Sequence, residues 1–386
     1  MPAASRPLVT TTSSAWRVVA VLGAALGLSC GGGSANDAGA EDLGPSGGRG
    51  AGARTPWHYS ALGAPLEPAD NASTEGKVDL GRLLFHDPIL SGDHATACVT
   101  CHSQYWGMGD GLGLGIGVGG TGPSGIGRRG PTTTRRNVPT LWNVAYRTAL
   151  FWDGRAASLE RQVETPLFDE RELGAKRETV AEGLADNATY RALFAAAFPE
   201  SPQVSVENLA RAIAAFVRTI TTSDAPYDRY ARGDDNAMSP MEIRGMFLFG
   251  ELGCATCHAP PLFAAERFDA VPLAGAAPLP SPPADDDLGR FEITGDERDR
   301  FAFRVPQLRN LRETGPYFHD GRAQAMLEAV RQMVVSTAPR AVADDELTAL
   351  AEFTGKGLMD KVHVPERPLA VPSGLPVPAD GFIIRR

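Results

Sequence analysis

Apolar positions along this chain recur mainly at helical spacing. Leu209, Ile213, Phe216, Val217 and Ile220 form one stripe, the signature of a helix with one face in a core. Met326, Ala329, Val330 and Met333 form a second stripe, and Leu347, Leu350 and Phe353 a short third. Ser239-Pro240-Met241-Glu242 reads as a capping box with proline at the first helical position, so a helix should begin at 240. Glycine- and proline-rich stretches at 107–130 and 272–289 predict loops. Between 222 and 238 the pattern breaks, which predicts a boundary between two domains, 57–225 and 226–386. Residues 18–28 differ from all of these. They form an unbroken apolar run, too short to span a bilayer, behind Arg6 and Arg17. That anatomy predicts an export signal over 1–29, followed by a Gly/Ala-rich linker over 30–56 and a folded part from near Trp57.

The chain repeats itself. Residues 138–163 (VPTLWNVAYRTALFWDGRAASLERQV) align without a gap on 305–330 (VPQLRNLRETGPYFHDGRAQAMLEAV), at an offset of 167 and with 10 of 26 positions identical. The shared frame is V-P-x-L-x-N…F-x-D-G-R-A, so the two halves are related.

Composition narrows the classes. At 386 residues the chain exceeds one compact domain; 43% hydrophobic and 22% charged residues describe an ordinary globular protein. A formal charge of −9 argues against a nucleic-acid partner. Five cysteines are too few for a disulfide scaffold, and four of them fall into two matching motifs.

Those motifs, Cys98-Val99-Thr100-Cys101-His102 and Cys254-Ala255-Thr256-Cys257-His258, both fit C-x-x-C-H. Two thiols one helical turn apart can add across the vinyl groups of haem, and the adjacent histidine then lies under the iron. By chance, one such motif is expected in roughly one chain per thousand of this composition. A zinc site would require the pairs to meet and would not explain histidine at the same place twice. Two covalent c-type haems are therefore expected. The fifth cysteine, Cys30, follows the apolar run and resembles the lipidation site of bacterial lipoproteins; the alternative is a plain secretory signal.

The order LGRLLFHDPILS, C-V-T-C-H, RRNVPTLWN…FWDGRA, C-A-T-C-H and FRVPQLRN…GPYFHDGR resembles the bacterial di-haem cytochrome c peroxidase family, which includes the MauG-type proteins. The resemblance covers about residues 76–360. It implies an all-α fold of two tandem class I cytochrome c-like domains, each with one haem, and a calcium ion between them. It places Met333 on the methionine ligand of the electron-transferring haem, where MauG-type proteins carry tyrosine; Met326 is the fallback. It places Gln162 and Glu172 in the peroxide pocket, and Trp152 between the haems. Asn137, Thr314 and Pro316 fall on the calcium positions. His319, the repeat partner of Trp152, is expected to support the second haem. The resemblance further implies hydrogen peroxide as substrate, a small donor such as cytochrome c or a cupredoxin, a periplasmic or exported location, and a homodimer.

One departure carries a mechanism. Many family members rest with a second histidine on the peroxidatic iron, from the stretch between the first motif and N-V-P. The seven histidines here are 58, 86, 94, 102, 258, 319 and 363, so that stretch holds none. The first haem is expected to be open in the oxidised chain, unless His86, His94 or Met108 reaches it. Two rival functions remain: a MauG-type oxidase that modifies a partner protein, and a dihaem electron-transfer protein without peroxide turnover.

Overall fold

The computed structural model describes residues 60–273, 287–360 and 366–381. They belong to one compact unit, Arg54–Arg386. The export signal, the linker, Cys30 and the centre of the 272–289 loop lie outside the described residues. The helices are α1 Glu75–His86, α2 Cys98–Cys101, α3 Leu159–Phe168, α4 Val180–Ala185, α5 Ala188–Ala197, α6 Val206–Arg218, α7 Pro226–Ala231, α8 Pro240–Glu251, α9 Phe291–Thr294, α10 Met326–Thr337 and α11 Asp344–Glu352. One short antiparallel pair, β1 Phe268–Asp269 with β2 Phe303–Arg304, departs from a strictly all-α fold. No helix among the described residues is long and apolar enough to cross a membrane.

Each half is built on one helix crossing. α1 meets α6 where Gly81 lies against Ala212: a Cβ on Gly81 would overlap the Ala212 carbonyl and press on Phe216. α8 meets α11 the same way, with Gly245 against the Ala349 carbonyl and Phe353. Glycine in a helix interior normally costs about 1 kcal/mol relative to alanine. Here it lets two backbones touch, so the cost is offset by the close packing that touch permits. The α6 stripe is buried as expected, Leu209, Ile213, Phe216, Val217 and Ile220 all at 2% exposure or less. The box that starts α8 also forms: Ser239 N–H donates to the Glu242 carboxylate (2.6 Å) and Glu242 N–H to Ser239 Oγ (3.3 Å).

The repeat is structural to the residue. Asn143 and Asn310 both adopt left-handed backbone (φ 55° and 56°), as do Phe151 and Phe318 (φ 66° and 70°). Such a conformation costs a bulky residue about 1–3 kcal/mol and is tolerated at both copies. The repeated asparagine has a visible job. Asn143 N–H and side chain bind Ile220 O and Thr222, the chain leaving α6; Asn310 does the same to Leu358 and Asp360 beyond α11. α3 and α10 then begin at positions 167 apart, 159 and 326.

One apolar cluster ends at Ile220 and the next begins at Tyr227. α7 fills the gap and carries a buried ion pair across it. Arg309 and Asp228 face each other through two 2.7 Å bonds, both side chains fully buried, and Asp228 also accepts from Leu62 N and Ala225 N. Residues 366–381, assigned to the second domain by sequence, pack on the first half instead. Ser373 Oγ donates to Asp87, Asn187 Nδ2 to Pro372 O, and Ser103 Oγ to Asp380 (2.7 Å).

Candidate active site

Each C-x-x-C-H folds as a single helical turn. His102 N–H returns to Cys98 O (2.9 Å) and His258 N–H to Cys254 O (2.8 Å), which brings both thiols of a motif to one side. All four cysteines are free of disulfides. Burial pushes the Cys98 thiol up to about 12 and Cys254 up to about 11, so both are neutral.

The histidines are oriented by backbone carbonyls. His102 Nδ1 bonds Met108 O at 2.9 Å and His258 Nδ1 bonds Pro306 O at 3.0 Å. A carbonyl only accepts, so Nδ1 carries the proton and Nε2 presents its lone pair. Burial holds both rings down to about 4, hence neutral near pH 7.

Each motif lines a cavity. The first, about 50 Å³, brings Cys98, Cys101 and His102 together with Gln162 and Glu172 under an apolar lid of Leu141, Val163, Ile213 and Val217. Glu172 is raised to about 7, chiefly by burial and secondarily by Asp169, against the pull of Arg155 and Arg171. Its backbone is fixed by the glycine-rich loop: Val118 N–H donates to Glu172 O (2.7 Å), and a Cβ on Gly117 would overlap that oxygen. The second cavity, about 600 Å³, gathers Cys254, Cys257, His258, Met333, Trp152, His319 and all three of Asn137, Thr314 and Pro316. Met326 is not on its wall; it packs under Tyr317 and against Gly355.

Residues 75–236 match the family model for di-haem cytochrome c peroxidase. The chain is 33% identical over 316 residues to cytochrome c551 peroxidase of Pseudomonas aeruginosa, covering 80% of this chain and 86% of that protein. It belongs to the di-haem cytochrome c peroxidase family. The family is one of oxidoreductases with two haems, and it extends to MauG: the chain is 37% identical over 266 residues to methylamine utilization protein MauG of Methylorubrum extorquens, 68% of this chain and 69% of that one. Among solved structures, a MauG-like protein associated with microbial copper homeostasis superposes with a TM-score of 0.66 at 29% identity, over 78% of this chain and 94% of that one.

The residues of this family member fit the group. The motif thiols are free and the Nε2 lone pairs of His102 and His258 are unprotonated. Around the second cavity Trp142 Nε1 and Arg147 Nη1 are buried donors without a partner, which suits a cofactor bearing carboxylates. A cavity of about 600 Å³ is also of cofactor size. About 50 Å³ is room for a water or two, so at the first motif the donor set carries the fit and the apolar walls must part.

Trp152 and His319 meet at the junction of the halves, ring centroids 6.4 Å apart and edge to face. Trp152 Nε1 donates to Asn137 O (2.8 Å), and His319 stacks on Phe303 at 3.7 Å. Asn137 turns its Nδ2 to Leu112 O and Gly113 O, which leaves Oδ1 as the amide's acceptor end. His86 is tied to Arg82 O, His94 is exposed, and Met108 is buried in the core; none of the three lines the first cavity.

Sequence inspection missed one telling residue. At the 167 offset, the partner of Met333 is Pro166, and Pro166 lines the first cavity. The same alignment that paired Gln162 with Ala329 would have found it.

Proposed function

We propose that this chain reduces hydrogen peroxide to two waters, with two electrons from a small redox protein such as a cytochrome c or cupredoxin and two protons from solvent. The observation that carries it is asymmetry at matched positions. The first cavity has Pro166 where the second has Met333, and Gln162 and Glu172 where the repeat has Ala329 and Pro339. Proline has no side-chain donor, so one site is open and bears acid–base groups while the other is closed by a thioether. A c-type haem at each motif supplies an iron that binds peroxide in the first cavity and a one-electron store of raised potential in the second. Glu172 takes the proton from the nearer peroxide oxygen and returns it to the farther one, which leaves as water. Gln162 holds the bound peroxide by hydrogen bonds, while Trp152 lies on the route between the halves. Asn137, Thr314 and Pro316 supply hard oxygens for one calcium ion. The 1–29 signal places the chain outside the cytoplasm, with Cys30 as lipid anchor; a homodimer is the family-based expectation.

Relatedness to MauG and the missing distal histidine favour a second reading, an oxidase acting on a partner protein. Met333 at the tyrosine position opposes it. EPR of the oxidised protein should give one open, high-spin haem and one low-spin haem, with steady peroxide consumption from a reduced cytochrome c. Two bis-ligated low-spin signals would overturn the open site. Little turnover would favour the oxidase or a plain electron carrier.

A further inference from the structure

The 167 offset relates more than the haem motifs. Asn137 pairs with Arg304, and Thr314 pairs with Arg147. The two-sided oxygen set Asn137/Thr314 therefore has a pseudo-symmetric counterpart made of two arginines. Both line the larger cavity. Arg304 is 9% exposed, and its guanidinium makes one hydrogen bond, Nε to Phe151 O (3.0 Å). Among the described residues, no carboxylate comes within ion-pair distance of it. Arg147 gives Nη2 to Ala265 O and Val305 O and forms an ion pair with the half-exposed Glu266 (2.8 Å from Nε); neither Nε nor Nη1, both buried, makes a hydrogen bond.

Three other charges on that wall have ion-pair partners: Asp269 is held through Oδ1 by Arg267, with its Oδ2 buried and unpartnered; Asp287 is held by Arg136, and Arg322 by Asp320. Two adjacent guanidiniums with free donors remain in one cavity. Burying a cation without a counter-charge is costly, and burial pushes Arg304 down to about 9. An anion alongside removes that cost, and a planar fork suits a carboxylate.

We infer that Arg304 and Arg147 form a carboxylate-binding site that takes the propionate side chains of the second haem. The site does with built-in charge what the oxygen set opposite would do with a metal ion. It rests on the assignment of a haem to Cys254, Cys257 and His258. Positive charge beside the haem disfavours its oxidised form, so the pair raises the potential of the second haem and leaves the first untouched.

The test is spectroelectrochemistry of the full-length holoprotein, with resonance Raman of the propionate bending band. Arg304→Gln should shift the oxidation equilibrium of the second haem about tenfold toward ferric, a fall of about 59 mV, with the first haem unmoved. Arg304→Lys keeps the charge but not the fork: the potential should stay near the parent while the Raman band moves. An unmoved second potential in Arg304→Gln overturns the site. Should that variant lose its haem, an unchanged propionate band in Arg304→Lys overturns it instead. A parent chain with no haem at the second motif overturns both the site and the assignment beneath it.

Discussion

Glu172 offers the sharpest test of the peroxide pocket. Its carboxyl is held near 7 by burial, with Asp169 adding to the shift. To accept a proton it must be ionised, so activity should climb as pH rises through 7 and level off above it. With that pKa, about 1% of Glu172 is ionised at pH 5, whereas an ordinary glutamate would be about three-quarters ionised. The expected fall in kcat/KM from pH 9 to pH 5 is thus about a hundredfold, against less than twofold for an unperturbed carboxyl. Initial rates of peroxide consumption with reduced cytochrome c, at low peroxide and constant ionic strength, measure it. Glu172→Gln should lose about 10²–10⁴ in rate and flatten the profile. Asp169→Asn should slide the rising limb to lower pH. Stability gives a second readout. A carboxyl raised in the folded state favours folding below its unfolded pKa and loses that benefit as pH climbs through 7. Glu172→Gln should therefore unfold later than the parent at pH 8, by on the order of 3 kcal/mol, and show little difference at pH 4. A flat parent profile between pH 5 and 7, or a rising limb that survives in Glu172→Gln, refutes the role.

Three further outcomes are expected. Asp228→Ala strands the Arg309 guanidinium in the core and should cost about 3–5 kcal/mol in urea unfolding; a loss under 1 kcal/mol would contradict the burial seen here. Gly245→Ala places a methyl in the Ala349 carbonyl and should cost about 1–3 kcal/mol despite the better helix propensity of alanine, as read by thermal melting. Met333→Ala should lower the second haem's potential and remove its low-spin His/Met spectrum, leaving the first haem's spectrum intact; an unaltered spectrum rules Met333 out as ligand.

Local chemistry was legible in the chain and distant contact was not. C-x-x-C-H carries its own geometry, since five adjacent residues make the turn, and the repeated V-P-x-L-x-N frame announced two related halves. The stripe on α6 likewise named its buried face. The glycines at 81 and 245 look like flaws in good helices until the partner helix is in view, more than 100 residues away. Asp228 and Arg309 are ordinary charges in sequence, 81 positions apart, and become a buried pair only in the fold. The β1–β2 pair spans two residues on each side, too few for any alternation to register. Pro166 is the instructive omission. The 167 offset pairs it with Met333, yet a proline on a helix reads as a backbone event and so went unnoticed.

The return of the carboxyl tail to the first half has a consequence in time. Ser103 follows His102 directly, and its partner Asp380 lies 277 residues further along the chain. Contacts so distant in sequence form late, because the entropy of closing the intervening loop is lost before the contact repays it. The turn beside His102 is therefore not finished by its own neighbourhood. It waits for residues beyond the second motif to fold back onto the first half.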